Sequence, residues 1–352
     1  MDVRQLLAQV ISRKASDVHL IVGVPPTLRI DGLLYPILDA GPLDNATIEK
    51  LIHEVTNDEQ REILSVNREI DFSVAYGDEA RFRVNAYYQK GTVAASFRWI
   101  PTAIPEVDSL GLPKICHEFV KMRQGLVLVT GPTGHGKSTS IAAMINEVLH
   151  NRAAHIITIE DPIEFTFKHA KGIVSQREMH GDTHSWAISL RSALREDPDV
   201  VFVGEMRDFE TIATTLTVAE TGHLVFATLH TNSASQSVDR IVDVFPEVQQ
   251  AQIRMQLSSV LEAILSQRLL PQLTGKRTLA YEVLLGTPAV KTVVREGKTH
   301  LIDNIIQTSA DIGMVPLEAV LVDLVRSGKV SLEVAKEYAL RPEELQRLVK
   351  GH

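Results

Sequence analysis

The sequence has a single cysteine, Cys116, among its 352 residues. The chain therefore cannot form an internal disulfide or a cysteine-rich zinc site, and it suits a reducing compartment. No apolar run approaches the ~18 residues that a membrane-spanning helix needs, and the first residues lack the charged-then-apolar pattern of a secretory signal. We therefore expect a cytoplasmic protein that has no direct membrane insertion and that reaches a membrane only through partner proteins.

An excess of positive charge is also missing. The chain has 36 Lys and Arg residues against 44 Asp and Glu residues, which gives a formal net charge of −8. This balance offers no overall attraction to nucleic-acid phosphates. We therefore expect no direct nucleic-acid binding, although a local basic patch remains open. The length suffices for two domains that each bury a core.

Residues 1–100 are predicted to form a small N-terminal domain of mixed helices and strands. Apolar residues at helical spacing occur between Leu6 and Ile11. Apolar residues then alternate over 70–76 and 82–86, and the turn residues Gly77-Asp78 stand between these two segments. This pattern indicates a β-hairpin.

Residues 101–113, which contain three prolines, are predicted to be a linker that precedes a larger domain at 114–352. Short apolar runs recur in the larger domain, and such runs are typical of central parallel strands in an α/β fold. These runs lie at 126–129, 155–159, 200–203 and 224–227. From about Ser233 onward the pattern indicates a helical C-terminal region, with an apolar helical stripe made of Ile253, Leu257, Val260, Leu261 and Ile264.

A phosphate-binding loop is the most informative motif. The run Gly-Pro-Thr-Gly-His-Gly-Lys-Ser at 131–138 directly follows the apolar stretch that ends at Thr130. Glycines let the backbone wrap closely around phosphates, Lys137 reaches the β- and γ-phosphates, and the Ser138 hydroxyl can bind a magnesium ion. A plain glycine-rich turn would not need this full set of residues, so the motif predicts nucleotide binding.

Acidic residues follow two of the apolar runs. Glu160, Asp161 and Glu164 crowd the end of the second run, where their mutual repulsion is easier to sustain if magnesium or arginines share the site. A solvated acidic turn is the alternative. Glu205 ends the third run, where P-loop enzymes usually carry a magnesium-holding aspartate. Its extra methylene suits contact through a magnesium-bound water, and a helix-capping role is the alternative.

Histidines and arginines complete the candidate set. His223 and His230 bound the fourth run, and an imidazole near phosphates can sense the γ-phosphate, although either could be structural. Phosphoryl transfer also favours guanidinium groups, which neutralise negative charge on the transferred oxygens. The candidates are Arg81, Arg83 and Arg98 in the N-terminal domain, and Arg191, Arg195 and Arg207 near the core strands.

Taken together, these motifs resemble the secretion-type ATPases, above all the PilT family of type IV pilus retraction motors. The resemblance covers nearly the whole chain, and it implies a PAS-like α+β N-terminal domain and a RecA-like P-loop ATPase domain. The matching segments are 15–20, 25–26 and 81–85 in the first domain, and 131–139, 158–165, 194–198, 203–208 and 221–231 in the second.

The resemblance also implies a role for each candidate residue. Glu164 would be the catalytic base and would act with Lys137 and Glu205, while Ser138 and Glu205 would hold Mg2+. ATP would be bound by the phosphate loop, the acidic loop, the two histidines and the N-terminal arginines. These residues are Gly131, Pro132, Thr133, Gly134, His135, Gly136, Lys137, Ser138, Thr139, Glu160, Asp161, His223, His230, Arg81, Arg83 and Arg98.

Family members assemble as hexameric rings in which the N-terminal domain of one subunit packs on the ATPase domain of the next. The resemblance therefore implies a homohexamer that is peripheral at the inner membrane through a type IV pilus platform protein. A paralogous accessory ATPase would be a further partner. ATP turnover would power pilus retraction, which disassembles the pilus and drives twitching motility.

Two positions depart from the family pattern. His135 stands where serine is common, which could alter phosphate contacts or introduce pH dependence. Residues 289–296 keep the apolar positions and the final Arg-Glu of a retraction-associated motif but have Lys-Thr in place of Arg-Asn.

Two other functions stay open. One is an accessory nucleotide-binding ring that docks on another motor. The other is a pilus assembly, secretion or DNA-transfer ATPase of the same superfamily. Assembly and secretion relatives commonly carry a tetracysteine zinc element, which a chain with one cysteine cannot form.

Overall fold

The computed structural model describes residues 2–77, 80–100 and 103–351. This part of the chain divides into two compact units. The first runs to Ala103 and includes Pro162–Thr166, and the second contains Ile104–Asp161 and the chain from Phe167 onward. Each unit has its own apolar core.

The first unit is built on an antiparallel sheet. Its strands are β1 (Asp17–Leu20), β2 (Thr27–Ile30), β3 (Leu33–Pro36), β4 (Glu69–Tyr76), β5 (Ala80–Gln89) and β6 (Thr92–Ile100), and its helices are α1 (Val3–Ser12), α2 (Asn45–His53) and α3 (Asp58–Asn67). Within the described residues the sheet order is β3-β2-β1-β6-β5-β4, and each neighbouring pair is antiparallel. This arrangement is the α+β domain that the sequence predicts.

Helix α1 begins at a reciprocal cap. The Asp2 carboxylate accepts a hydrogen bond from Gln5 N at 2.7 Å, and the Gln5 side chain accepts one from Asp2 N at 3.2 Å. Such a pair satisfies backbone donors that the first turn of a helix leaves without partners. The buried face of α1 carries Val3, Leu6, Leu7 and Val10, which belong to the apolar core of the first unit.

The predicted hairpin is present. Strands β4 and β5 pair from Tyr76 opposite Ala80 to Glu69 opposite Tyr87. Asp78, which belongs to the predicted turn, lies outside the described residues.

The second unit is built on a largely parallel sheet. Its strands are β7 (Gly125–Thr130), β8 (His155–Glu160), β9 (Ile173–Glu178), β10 (Val200–Val203), β11 (Leu224–Leu229), β12 (Leu261–Pro271) and β13 (Arg277–Leu285). In the described chain the order is β13-β12-β7-β11-β10-β8-β9, and all neighbouring pairs are parallel apart from β12 with β13. The four apolar runs lie in β7, β8, β10 and β11, which confirms the prediction of central parallel strands.

Helices connect and cover these strands. They are α4 (Cys116–Lys121), α5 (Lys137–Asn151), α6 (Trp186–Ala193), α7 (Phe209–Glu220), α8 (Ala234–Asp243), α9 (Glu247–Val260), α10 (Pro288–Arg295), α11 (Ile302–Thr308), α12 (Leu317–Arg326), α13 (Leu332–Tyr338) and α14 (Pro342–Lys350). Helices α12, α13 and α14 form a separate apolar cluster with Leu270 of β12 and Ala280 of β13. Across the described residues, no helix combines the length and apolar character needed to span a bilayer.

The prediction of a helical region from about Ser233 is wrong over one stretch. Helix α9 ends at Val260, and Leu261 and Ile264 of the predicted stripe lie on β12. Most of β12 is buried, including polar residues such as Ser266 and Gln267, so apolar and polar residues do not alternate along it. Periodicity does not separate a fully buried strand from a buried helix, and the sequence was therefore misassigned here.

The predicted linker at 101–113 also needs correction. From Ile104 onward this segment belongs to the second unit, in which Val107 and Leu112 are buried. Its prolines limit regular structure but do not prevent packing. Pro101 lies outside the described residues.

His117 on α4 ties the start of the second unit to α5. Its Nδ1 lies 2.8 Å from Glu147 Oε1, and its Nε2 lies 3.0 Å from Asp108 Oδ1. Hydrogen bonds to Glu147 and then Asp108 raise the pKa of His117 above its ordinary value of 6.5. The charged imidazolium can donate to both carboxylates at once.

Replacing His117 with Gln should lower thermal stability more at about pH 6 than at about pH 8. A raised folded-state pKa means that the contribution of His117 is complete below the ordinary imidazole pKa of about 6.5 and is lost as pH rises through the folded value. Calorimetric unfolding across this range measures the difference, with the exposed His300→Gln as control. A difference that grows toward alkaline pH would contradict the assignment.

Candidate active site

The phosphate loop joins the buried central strand β7 to helix α5. All six residues of β7 are buried, and α5 begins at Lys137, so residues 131–136 form the connection. Ser138 and Thr139 lie in the first turn of α5. The loop therefore presents a helix N-terminus, whose free N–H groups and dipole favour phosphate binding.

Gly131 shows why this loop needs glycine. Its φ of +144° lies in a region that side chains rarely adopt, and a Cβ there would come within 2.2 Å of the Gln267 carbonyl oxygen on β12. Gly136 at the other end also has a positive φ, +81°. The close approach to β12 therefore requires glycine at 131, and the positive φ of Gly136 also favours glycine.

Lys137 is buried and lies among acceptors. Its Nζ donates to the carbonyl oxygens of Gly131 at 2.8 Å and Pro132 at 3.1 Å. It also lies 3.3 Å from Nδ1 of His230, the residue that follows β11. Thr133 Oγ1 contacts the same Nδ1 at 3.1 Å. The structure thus brings Thr133, Lys137 and His230 together.

Glu205 extends this group toward the neighbouring strand end. Its Oε1 lies 3.1 Å from His230 Nε2, and its Oε2 accepts from Arg207 Nε at 2.7 Å. Glu205 follows β10, which lies beside β11 in the sheet. The side chains of Lys137, His230, Glu205 and Arg207 therefore form a continuous polar chain at one edge of the sheet.

The acidic loop contributes one buried carboxylate to this edge. Glu160, the last residue of β8, accepts hydrogen bonds from Thr158 Oγ1 at 2.7 Å and Gln176 Nε2 at 3.2 Å. Asp161 is exposed. Glu164 is exposed as well, and it lies in the Pro162–Thr166 segment of the first unit.

His223 does not join this edge. It precedes β11, whose Leu224 pairs with Gly125 at the start of β7, whereas the phosphate loop follows the other end of β7. Its Nδ1 contacts Val218 O at 3.1 Å and Thr221 Oγ1 at 3.0 Å. Parallel strands place their two ends at opposite edges of a sheet, so two histidines that bound one strand cannot both reach the same phosphate loop. His223 therefore lies outside the phosphate site of its own chain.

The three N-terminal arginines lie on β5 and β6. Arg83 forms an ion pair with Asp71 and stands opposite Arg98 across the strand pair. Arg98 Nε donates to Asp17 Oδ1 at 2.8 Å. Arg81 donates to Ser73 Oγ, and the buried Phe82 between Arg81 and Arg83 points to the other face, as the alternation predicts.

Several site residues were missed in the sequence. Thr228 Oγ1 donates to the Gly204 carbonyl, and Thr158 donates to Glu160. Both threonines stand near the end of an apolar run, which is a usable signal. Gln267 contacts the loop, but the pattern before it predicts a helix, so its position on a strand beside the loop cannot be recognised from the sequence.

The donor set suits Mg2+. Ser138 and Glu205 offer a hydroxyl and a carboxylate oxygen, and Mg2+ usually takes few protein ligands together with phosphate oxygens and waters. Among the residues described, no cluster of three or more His, Cys, Asp or Glu side chains is arranged to hold a metal. Ser138 and Glu205 would hold the ion, which would neutralise phosphate charge.

A glycine loop at the carboxyl edge of a largely parallel sheet, with a lysine and strand-end carboxylates beside it, defines the second unit as a P-loop nucleotide-binding domain. The family described as "Type II/IV secretion system protein" matches residues 1–302. The chain belongs to this family, in its PilT branch of ATPases.

The relatives support this placement along the full chain. The type IV pilus retraction ATPase PilT of Pseudomonas aeruginosa is 46% identical, with 97% of this chain and 99% of that protein covered. The type IV pilus ATPase PilU of the same organism is 38% identical, with 99% and 92% covered. A crystal structure of the pilus retraction motor PilT with bound ADP has a TM-score of 0.91 at 47% identity, with 99% of both chains covered.

Replacing Gly131 with Ala should abolish nucleotide binding and lower the thermal midpoint. The added Cβ meets the Gln267 carbonyl, and the unfavourable φ alone costs about 1–3 kcal/mol. Binding of a fluorescent ATP analogue and thermal unfolding measure the two effects. Gly181→Ala is the matched control, because its Cβ would meet nothing closer than 4.0 Å and its φ is not in the positive region. Normal binding by Gly131→Ala would contradict the close approach.

Proposed function

We propose that this chain is a magnesium-dependent ATPase motor that powers type IV pilus retraction as a homohexamer. The observation that carries the proposal is the 46% identity to a pilus retraction ATPase over 97% of the chain. This coverage matters because the similarity extends over both compact units and is not limited to the phosphate loop. The polar chain at the sheet edge supports hydrolysis.

Each residue of the site has a distinct task in this proposal. Lys137 exchanges its loop carbonyl acceptors for phosphate oxygens, which is favourable because the new bond joins opposite charges. Ser138 and Glu205 would hold Mg2+, and His230, which contacts both Lys137 and Glu205, would contact the γ-phosphate.

Glu164 is the proposed base. Its carboxylate takes a proton from water as the water oxygen bonds to the γ-phosphorus, and the bond from that phosphorus to the bridging oxygen breaks and releases ADP. Glu160 is the competitor for this role. Its buried carboxylate already accepts from Thr158 and Gln176, which favours a positioning role for it.

Assembly would complete the site. In the proposed hexamer, Arg81, Arg83 and Arg98 of a neighbouring subunit neutralise charge on the transferred phosphoryl group. The ion pairs of Arg83 with Asp71 and of Arg98 with Asp17 orient these two guanidinium groups on the neighbouring strands β5 and β6. The ring would work in the cytoplasm, bound to an inner-membrane platform protein.

An accessory role is the second candidate. The ATPase PilU is 38% identical over 99% of this chain, so the fold alone does not separate a main motor from an accessory ring. Turnover by the isolated chain separates the two, because a ring that acts through protein contacts would bind nucleotide without efficient hydrolysis.

Lys137→Ala should abolish ATP turnover in the purified protein and twitching motility in the organism that encodes it. The phosphate charge then has no ammonium partner. Phosphate release measures turnover, mass measurement on the same sample gives the oligomeric state, and spreading on soft surfaces measures motility. Lys171→Ala, an exposed lysine, is the control. Turnover lost with motility kept would contradict the retraction role, and turnover kept would contradict the phosphate-loop assignment.

Glu164→Gln should bind ATP with near-normal affinity but hydrolyse it at least ~100-fold more slowly, the scale expected for loss of a general base. The amide keeps the size of the side chain but cannot accept the proton from water. Glu160→Gln is the comparison variant. Slower hydrolysis in Glu160→Gln than in Glu164→Gln would show that the base is Glu160.

A further inference from the structure

Strand β12 extends beyond its neighbour β7. The two strands pair as far as Thr130 opposite Ser266, and β7 ends there, whereas β12 continues to Pro271. The phosphate loop starts at this point and runs along the extra length of β12, as the approach of Gly131 to the Gln267 carbonyl demonstrates. The loop thus takes the place that further strand residues would occupy.

His135 makes two hydrogen bonds with this extra length. Leu269 N donates to His135 Nδ1 at 2.9 Å, and Gln267 Nε2 donates to the His135 carbonyl at 2.7 Å. Nδ1 can accept only when it carries no proton, so the ring is neutral with its proton on Nε2. The imidazole therefore satisfies a backbone donor that a paired strand would otherwise satisfy.

The groups around the ring favour this neutral form. Burial, and then the charges of Lys137, Arg268 and Arg277, lower the pKa of His135 below its ordinary value of 6.5. The ring of Tyr338 on α13 also lies near, with its centroid 6.1 Å from that of His135. These three cations lie on α5, β12 and β13, and each of them opposes protonation of His135.

We propose that His135 is a positioning residue for nucleotide binding, which fixes the phosphate loop on β12 by accepting a hydrogen bond from Leu269 N. The inference rests on the proposed ATPase function. The loop holds its phosphate-binding shape while this acceptor is present. Protonation of Nδ1 turns the acceptor into a donor that faces another donor, and the tie is lost.

A direct contact of His135 with phosphate would give the opposite pH dependence. An imidazolium that touched ATP would strengthen binding in acid, because opposite charges attract. An imidazole that acts only as the acceptor for Leu269 N weakens binding in acid. The sign of the pH effect therefore separates positioning from phosphate contact.

Two substitutions isolate the acceptor. In His135→Asn the Oδ1 atom can accept from Leu269 N in place of Nδ1 and does not titrate, whereas His135→Leu is of similar size and has no acceptor. We would measure the dissociation constant of a fluorescent ATP analogue with Mg2+ from about pH 8 down to about pH 5.5, below the ordinary imidazole pKa, together with KM and kcat.

At about pH 8, His135→Leu should bind roughly three- to tenfold more weakly than wild type, as expected for one lost hydrogen bond. KM should rise more than kcat falls, and His135→Asn should restore most of the affinity. Toward acid, wild type should weaken relative to His135→Asn. This comparison cancels the titration of ATP itself, whose terminal phosphate also takes up a proton in this range.

Wild-type affinity in His135→Leu at about pH 8, above the ordinary imidazole pKa, would overturn the proposal. Tighter binding by wild type than by His135→Asn in acid would overturn it too and would assign a phosphate contact. If His135→Leu does not fold, His135→Ala, which also lacks the acceptor, is compared with His135→Asn at about pH 8, and equal affinities reject the proposal. A wild type that binds nucleotide without turnover defeats the ATPase function but leaves this binding test intact.

Discussion

The parallel pairing of β7 with β12 is the interaction on which the nucleotide site depends. It sets Gly131 against the Gln267 carbonyl, and Thr130 Oγ1 lies 2.8 Å from Ser266 Oγ across the same pair. Because protein interiors are close-packed, a shift of β12 would displace the phosphate loop. The shape of the loop is thus a property of two strands and not of the glycine motif alone.

A second constraint is the carboxylate of Glu205, which His230 and Arg207 share at the sheet edge. His230 contacts both Lys137 and Glu205, and Arg207 binds the same carboxylate. Removing one member leaves its neighbours with fewer hydrogen-bond partners, and the loss matters most for Glu205, which is less exposed than His230 or Arg207. These side chains therefore hold one another in place before any phosphate arrives.

The sequence was sufficient for the parts of the fold that carry local signals. Continuous apolar runs located β7, β8, β10 and β11, and alternation with a turn located the first-unit hairpin. The phosphate loop was identified because glycine and lysine must stand at fixed spacing.

What the sequence could not give were relations between distant segments. Strand β12 looks like a continuation of α9, because burial on both faces removes the alternation that marks a strand. The support that Gln267 and Leu269 provide for the loop was therefore hidden. His223 was misplaced for a related reason, since proximity to a strand in sequence does not specify which end faces the ligand.

The position of β12 late in the sequence also affects the order in which the site can be built during synthesis. Between the end of β7 at Thr130 and the start of β12 at Leu261 the ribosome must translate four strands and five helices of the described chain. Pairings between segments so far apart in sequence form slowly. A nascent chain whose phosphate loop has just left the ribosome thus has the glycines and the lysine but lacks β12, the strand that the loop packs against. Nucleotide binding becomes available only when synthesis of the domain is well past its midpoint.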